Sequence, residues 1–158
     1  MLFGDYIDSP TTPLFAFGHG LSYTTFAYSD LTVQAKNTTE PIEVSIEVHN
    51  TGEQAGDEVV QLYYRDLVTS VARPERMLLG FARLSLPPGQ ARRVTFTVHT
   101  SRLAFYDPHM QFVTEPGAFT FSIGASSADI RAEKTVTLGG QVVEYRQREI
   151  VATKVAIV

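Results

Sequence analysis

The chain has no cysteine and no tryptophan among its 158 residues. Without a thiol, disulfide scaffolds, thiolate metal sites and cysteine nucleophiles are excluded, and the redox compartment is left undetermined. The missing indoles weaken any reading of the seven tyrosines as a sugar-stacking platform. Every apolar run is far shorter than the roughly 20 residues that a membrane-crossing helix needs. Met1-Leu2-Phe3-Gly4-Asp5 has no basic region ahead of an apolar stretch, so no export signal and no membrane partner are expected, and the compartment stays open. No basic cluster is interleaved with aromatics, so no nucleic-acid partner is expected either. What is present is ordinary globular composition, 44% hydrophobic and 19% charged. That is enough for one domain with a real core and short extensions.

The net charge of −4 is unevenly spread along the chain. Residues 1–66 carry 10 acidic and 2 basic side chains, and residues 67–158 carry 7 acidic and 11 basic. Either a basic surface meets an acidic partner, or strands from the two halves interleave and the asymmetry averages out in space. The second reading is preferred, because charge balance speaks to solubility more than to partners.

Hydrophobic periodicity points to strands. Ile42, Val44, Ile46 and Val48 alternate with Glu43, Ser45, Glu47 and His49, which gives one face to a core and one to water. Asn50-Thr51-Gly52 punctuates, with Gly52 available for positive φ. Residues 58–65 are β-branched and aromatic with apolar side chains on both faces, as a central strand requires. Val94, Phe96 and Val98 alternate inward, as do Phe119, Phe121 and Ile123, each contributing about 1.5–3 kcal/mol on full burial. Weaker strands are predicted at 26–34, 78–86 and 132–138, with one helical turn at Ser101-Arg102-Leu103-Ala104. Turns fall at Pro87-Pro88-Gly89, Asp107-Pro108 and Glu115-Pro116-Gly117, and Asp66 to Glu75 reads as a long loop. Seven or so short strands with such punctuation describe an all-β, antiparallel β-sandwich. The domain plan is a lead-in over 1–25, the sandwich over 26–138, and a tail over 139–158 whose structure the pattern leaves unassigned.

The side chains supply no catalytic constellation. Glycoside hydrolysis needs two carboxyl groups facing each other across a sugar, roughly 5–10 Å apart. Asp57 and Glu58 are adjacent on an extended chain and so point to opposite faces. Glu43 and Glu47 share a face but read as a solvated one. His19, His49, His99 and His109 have no metal-ligand spacing, and His49 and His99 sit near strand ends as exposed or capping groups. No catalytic residue, substrate-binding residue, metal ligand or cofactor is therefore expected. Asn37-Thr38-Thr39 fits the N-glycosylation pattern and reads here as a polar hairpin tip. At least one of Tyr63 and Tyr64 belongs to the core, and Tyr106 is expected to pack against the sheet from the Asp107-Pro108 turn.

One segment does not fit a domain that folds only for itself. Phe15, Phe17 and Leu21 crowd the turn Gly18-His19-Gly20 ahead of the first good strand, with Tyr23 just after. Such a lead-in packs against something else. The run Pro13-Leu14-Phe15-Ala16-Phe17-Gly18-His19-Gly20-Leu21-Ser22-Tyr23-Thr24-Thr25-Phe26 resembles the segment that introduces the C-terminal fibronectin type III-like domain of family 3 glycoside hydrolases, the β-glucosidase and β-xylosidase family. The likeness continues in order through Val48-His49-Asn50-Thr51-Gly52, Gly56-Asp57-Glu58-Val59-Val60-Gln61-Leu62-Tyr63, Arg73-Pro74 and Leu79-Gly80-Phe81. It goes on through Leu86-Pro87-Pro88-Gly89-Gln90, Leu103-Ala104-Phe105-Tyr106-Asp107 and Glu115-Pro116-Gly117-Ala118-Phe119, covering about residues 13 to 138. Ala16 departs from it, the family often having proline there.

The resemblance implies an immunoglobulin-like sandwich that supports catalytic domains lying before it. The family's nucleophilic aspartate and its acid/base belong to those domains, no position here matches either motif, and this chain alone is expected to be inactive. The implied partners are the catalytic domains of a family 3 enzyme, on the same parent chain or separately encoded, and a homodimer is the other association considered. Phe15, Phe17, Gly18, His19, Gly20, Leu21 and Tyr23 become the expected interdomain interface, with Asp5-Tyr6-Ile7-Asp8 in the connection. The alternative function is an independent carbohydrate- or protein-binding sandwich module.

Overall fold

The computed structural model describes residues 12–146 and 151–158. Asp5-Tyr6-Ile7-Asp8 lies outside the described residues. The strands are β1 (Phe26–Gln34), β2 (Ile42–Asn50), β3 (Gly56–Asp66), β4 (Met77–Leu86), β5 (Ala91–Val98), β6 (Phe105–Tyr106), β7 (Phe112–Thr114), β8 (Gly117–Gly124), β9 (Ile130–Leu138), β10 (Val143–Glu144) and β11 (Lys154–Ile157). One sheet has the order β1-β2-β5-β11, the facing sheet β4-β3-β8-β9, and a small third sheet β10-β7-β6. All of these pairings are antiparallel. This is the β-sandwich that the alternating pattern calls for.

Ile42, Val44, Ile46 and Val48 of β2 and Val94, Phe96 and Val98 of β5 are fully buried against Val60, Leu62, Phe121 and Ile123 of the facing sheet. β3 is a central strand, paired with β4 on one edge and β8 on the other. The weak signals at 26–34, 78–86 and 132–138 correspond to β1, β4 and β9. β1 is irregular: its register to β2 shifts between Ser29 and Thr32, where Asp30 takes a φ of 55°. The helical turn is 3₁₀, Thr100–Leu103, and His99 caps it by accepting from the Ser101 amide at 3.2 Å.

The two halves of the chain interleave, so their charges meet. β2 pairs with β5 and β3 with β4, bringing Glu47 to 3.5 Å from Arg93 and joining Asp57 to Arg83. The sequence asymmetry therefore becomes cross-strand ion pairs rather than a basic face. Asn37 forms the predicted hairpin tip, its Oδ1 accepting from the amides of Thr39 and Glu40 at 3.0 and 2.9 Å.

Two expectations need correction. Gly52 is not among the glycines with positive φ, which are Gly18, Gly89 and Gly140 among the described residues. Its lack of a side chain serves close approach instead: a Cβ there would stand 2.2 Å from Thr24 Oγ1. Tyr106 does not pack onto a main sheet. It sits half-exposed on β6 with its ring 5.0 Å from that of Phe112, its neighbour in the small third sheet.

The tail acquires a structure that its sequence left open. β11 adds to the outer edge of β5, with Val155 opposite Phe96 and Ile157 opposite Val94. Just before it, Thr153 donates its hydroxyl to the Leu79 carbonyl at 2.6 Å. Its side chain occupies the space that a residue larger than Gly80 would fill, a Cβ there lying 3.1 Å from Thr153 Cγ2.

Candidate interdomain interface

Strand geometry sends Asp57, Val59, Gln61 and Tyr63 to the outer face of β3. An outer face should be wet, yet Gln61 is only 5% exposed and Tyr63 is buried with it. The lead-in covers Gln61, and Tyr63 is buried beside it. Gln61 Nε2 donates to the carbonyls of Gly18 at 3.1 Å and Ala125 at 2.6 Å, while its Oε1 accepts from the Tyr63 hydroxyl at 2.5 Å. Both N–H groups of the carboxamide are used, so its burial carries no unpaired donor. The Ser127 amide adds a bond to the Phe17 carbonyl at 2.9 Å.

Gly18 is required at this contact for two reasons. Its φ is +78°, and a Cβ would stand 2.0 Å from Gln61 Oε1. Further along, the lead-in is fixed again around Asn50, which is fully buried. Thr24 donates its hydroxyl to Asn50 Oδ1 at 2.7 Å, and Asn50 Nδ2 donates to the carbonyls of Gln54 and Leu86, each at 2.8 Å. The Thr51 amide bonds the Thr25 carbonyl at 2.9 Å.

Held at Gly18 and Thr24, the segment turns its rings outward. Leu21 is 94% exposed and Tyr23 99%, and Phe15 and Phe17 are exposed with them. Phe15 lies against the His19 ring at 5.2 Å. Between the lead-in and the sheet runs a groove of about 570 Å³, with Phe17, Leu21, Val59 and Phe81 among its apolar lining. Phe81, on β4 opposite Gln61, is 63% exposed. Phe17, Leu21, Val59 and Phe81 thus line one groove and leave apolar surface exposed along it.

The polar groups beside the groove are mostly paired within the chain. Asp57 accepts from Ser85 and pairs with Arg83 on the outer face, and these two hold its carboxyl below its ordinary value, the Ser85 bond first. Glu58 points the other way and accepts from the Tyr28 hydroxyl at 2.9 Å. Burial pushes the Glu58 carboxyl up, against the opposing pull of Tyr28 and Arg131. Burial also raises the Tyr28 hydroxyl, helped by the charge of Glu58. As their adjacency dictates, the two carboxylates serve different faces and do not address a common substrate atom. The histidines are dispersed: His19 in the lead-in, His49 on β2, His99 at the 3₁₀ cap and His109 in the turn after β6.

The sequence located the lead-in but not its seat. Nothing in the period singles out Val59 or Phe81, but a glutamine inside the run Val59-Val60-Gln61-Leu62-Tyr63-Tyr64 is a signal in itself. A carboxamide in a strand buried on both faces needs partners from elsewhere.

A model of the fibronectin type III-like domain matches residues 58–127. Thermostable β-glucosidase B of Acetivibrio thermocellus is 44% identical over 133 residues, covering 82% of this chain and 18% of that protein. A β-xylosidase of Formosa agariphila is 47% identical over 129 residues, covering 78% of this chain and 17% of its own length. Among solved structures, a β-glucosidase from Listeria innocua in complex with glucose aligns over 89% of this chain and 19% of its own, with a TM-score of 0.79 and 33% identity. β-Glucosidase 3B from Thermotoga neapolitana, in complex with α-D-glucose, gives a TM-score of 0.80 at 33% identity, over 86% of this chain and 19% of its own. This chain thus spans less than a fifth of the length of these relatives. The chain belongs to glycoside hydrolase family 3, as the C-terminal fibronectin type III-like domain of that β-glucosidase and β-xylosidase family.

Proposed function

We propose that this chain is the supporting, non-catalytic domain of a β-glycosidase that hydrolyses β-linked glucosides or xylosides with retention. The observation that carries the reading is the outer face of β3 and β4: a lead-in bonded to Gln61 and Asn50, with Phe15, Phe17, Leu21 and Tyr23 turned out beside Phe81. The residues Phe15, Phe17, Gly18, His19, Gly20, Leu21 and Tyr23 are the proposed interdomain interface. Their partner is the catalytic body of a family 3 enzyme, on the same chain or separately encoded. Relatives in which this domain is under a fifth of the protein support that choice. The lead-in has a mechanical role in this reading. Because it is tied to the sandwich at both Gly18 and Thr24, it fixes the angle at which the sandwich meets the catalytic body.

A second copy of the chain is the other partner proposed. The test of the main reading is an assay of the chain alone on nitrophenyl β-glucoside and β-xyloside. No nitrophenol release is expected, and turnover that follows the pure chain through chromatography contradicts the reading.

A further inference from the structure

β11 ends the order β1-β2-β5-β11, so among the described residues only one of its two backbone edges is used. Which groups are left over follows from the ladder. Val158 exchanges both backbone bonds with Arg93, at 3.0 and 2.8 Å. Hydrogen-bonded and non-bonded pairs alternate along an antiparallel ladder. Ala156 and Lys154 therefore also bond toward β5, opposite Thr95 and Thr97, while the N–H and C=O of Val155 and Ile157 point outward. On the core side of the sheet the same two residues carry apolar side chains that the sandwich covers incompletely, Val155 being 40% exposed and Ile157 48%. Among the described residues, backbone groups and apolar surface thus lie unused at the same two positions.

We infer that this edge is a homodimerisation surface, on which β11 pairs antiparallel with β11 of a second copy about a two-fold axis through Ala156. The occupant follows from self-complementarity. Full overlap of residues 154–158 with themselves puts Val155 opposite Ile157 of the second copy and Ile157 opposite its Val155. These are the two residues with free backbone bonds, so both pairs become hydrogen-bonded pairs. On the core side each half-covered valine meets a half-covered isoleucine. At the axis, where a non-bonded pair brings Cα atoms closest, stands the small side chain of Ala156. Lys154 faces Val158 rather than its own copy, so no like charges are apposed. The result is an isologous contact that joins two four-stranded sheets into one and removes an exposed apolar edge that would otherwise invite uncontrolled pairing. It is small, hence weak.

The test uses the full chain, whose lack of cysteine makes any introduced thiol unique. Opposed residues at the axis have Cα atoms about 4.5 Å apart, within the roughly 4.4–6.8 Å that a disulfide spans. Ala156→Cys is expected to become a covalent dimer on mild oxidation. Lys154→Cys is expected not to, since its two thiols would lie four residues, about 14 Å, out of register. Sedimentation of the unmodified chain from about 10 µM to about 1 mM should show concentration-dependent dimer, the range suiting a small interface. Ile157→Pro removes an outward N–H but no bond to β5 and should weaken association at least about tenfold, a loss of about 1.4 kcal/mol. A chain that stays monomeric over that range overturns the inference. So does Ala156→Cys giving no more covalent dimer than Lys154→Cys, whatever the proline variant does.

Discussion

On the outer face of β2 and β5 the side chains are Ser45, Glu47, Arg93 and Thr95, a polar surface held by a Ser45–Thr95 bond of 2.6 Å and the Glu47–Arg93 pair. On the outer face of β3 and β4 they are Val59, Gln61, Tyr63 and Phe81, part of them buried under the lead-in and part left bare. A sandwich needs to bury only the two faces that meet in its middle. The first sheet obeys that minimum, while the second is built to be covered on both sides. The lead-in is the first layer of that cover, and under the proposed function its exposed rings meet a second.

The comparison breaks most visibly when equivalent phenylalanines are removed from the two kinds of surface. Phe96→Ala empties a fully buried site and is expected to cost about 3–5 kcal/mol. Phe81→Ala, on the bare outer face, should stay within about 0.5 kcal/mol in the chain alone. Denaturant melts of both variants measure the contrast. Next in size is Gln61→Leu, which strips the carbonyls of Gly18 and Ala125 and the hydroxyl of Tyr63 of a shared partner. A loss of about 1–3 kcal/mol is expected, with faster amide exchange at Ser127, whose N–H bonds Phe17. Gly18→Ala sharpens the same point through the backbone. The left-handed conformation costs about 1–2 kcal/mol with a side chain present, and the methyl would run into Gln61. Exchange should rise in the lead-in while the melting temperature moves less, because the inner core is untouched.

The smallest effects concern the neighbours Asp57 and Glu58, which serve opposite faces of β3 and should respond to pH with opposite sign. The Asp57 carboxyl is held low, so its contribution is present above the unfolded value and is lost as pH falls through the lower folded one. The Glu58 carboxyl is pushed up, so the folded state holds its proton more tightly. That contribution is full below the unfolded value and is lost as pH rises through the folded one. Asp57→Asn should therefore reduce stability at neutral pH relative to acid, and Glu58→Gln should do the reverse. Thermal melts between about pH 3 and 7, the range spanning ordinary carboxylate titration, read both.

Much of the fold was legible because its residues obey a period of two. Ile42 to Val48 and Val94 to Val98 declare a buried face without help from the rest of the chain. The lead-in was legible as well, since Phe15, Phe17 and Leu21 around a glycine-rich turn make no sense as a self-sufficient segment. What escaped was whatever depends on distant pairing. Gln61 reads as a flaw in a strand until Gly18 and Ala125 are brought to it from opposite directions in sequence. Gly52 reads as a turn glycine until Thr24 arrives against it. β11 follows no pattern of its own, because the edge of β5 and the space at Gly80 decide where residues 151–158 lie.

The claim that the outer face of β3 and β4 awaits a catalytic body is tested most directly by an NMR titration. The labelled chain is titrated with thermostable β-glucosidase B from which the matching domain has been removed. Amide shifts concentrated at residues 14–23 and around Val59 and Phe81, with the outer face of β2 and β5 unmoved, are the predicted result. Shifts centred on Ser45 and Thr95 instead, or a lead-in that stays unperturbed at saturation, contradict the account.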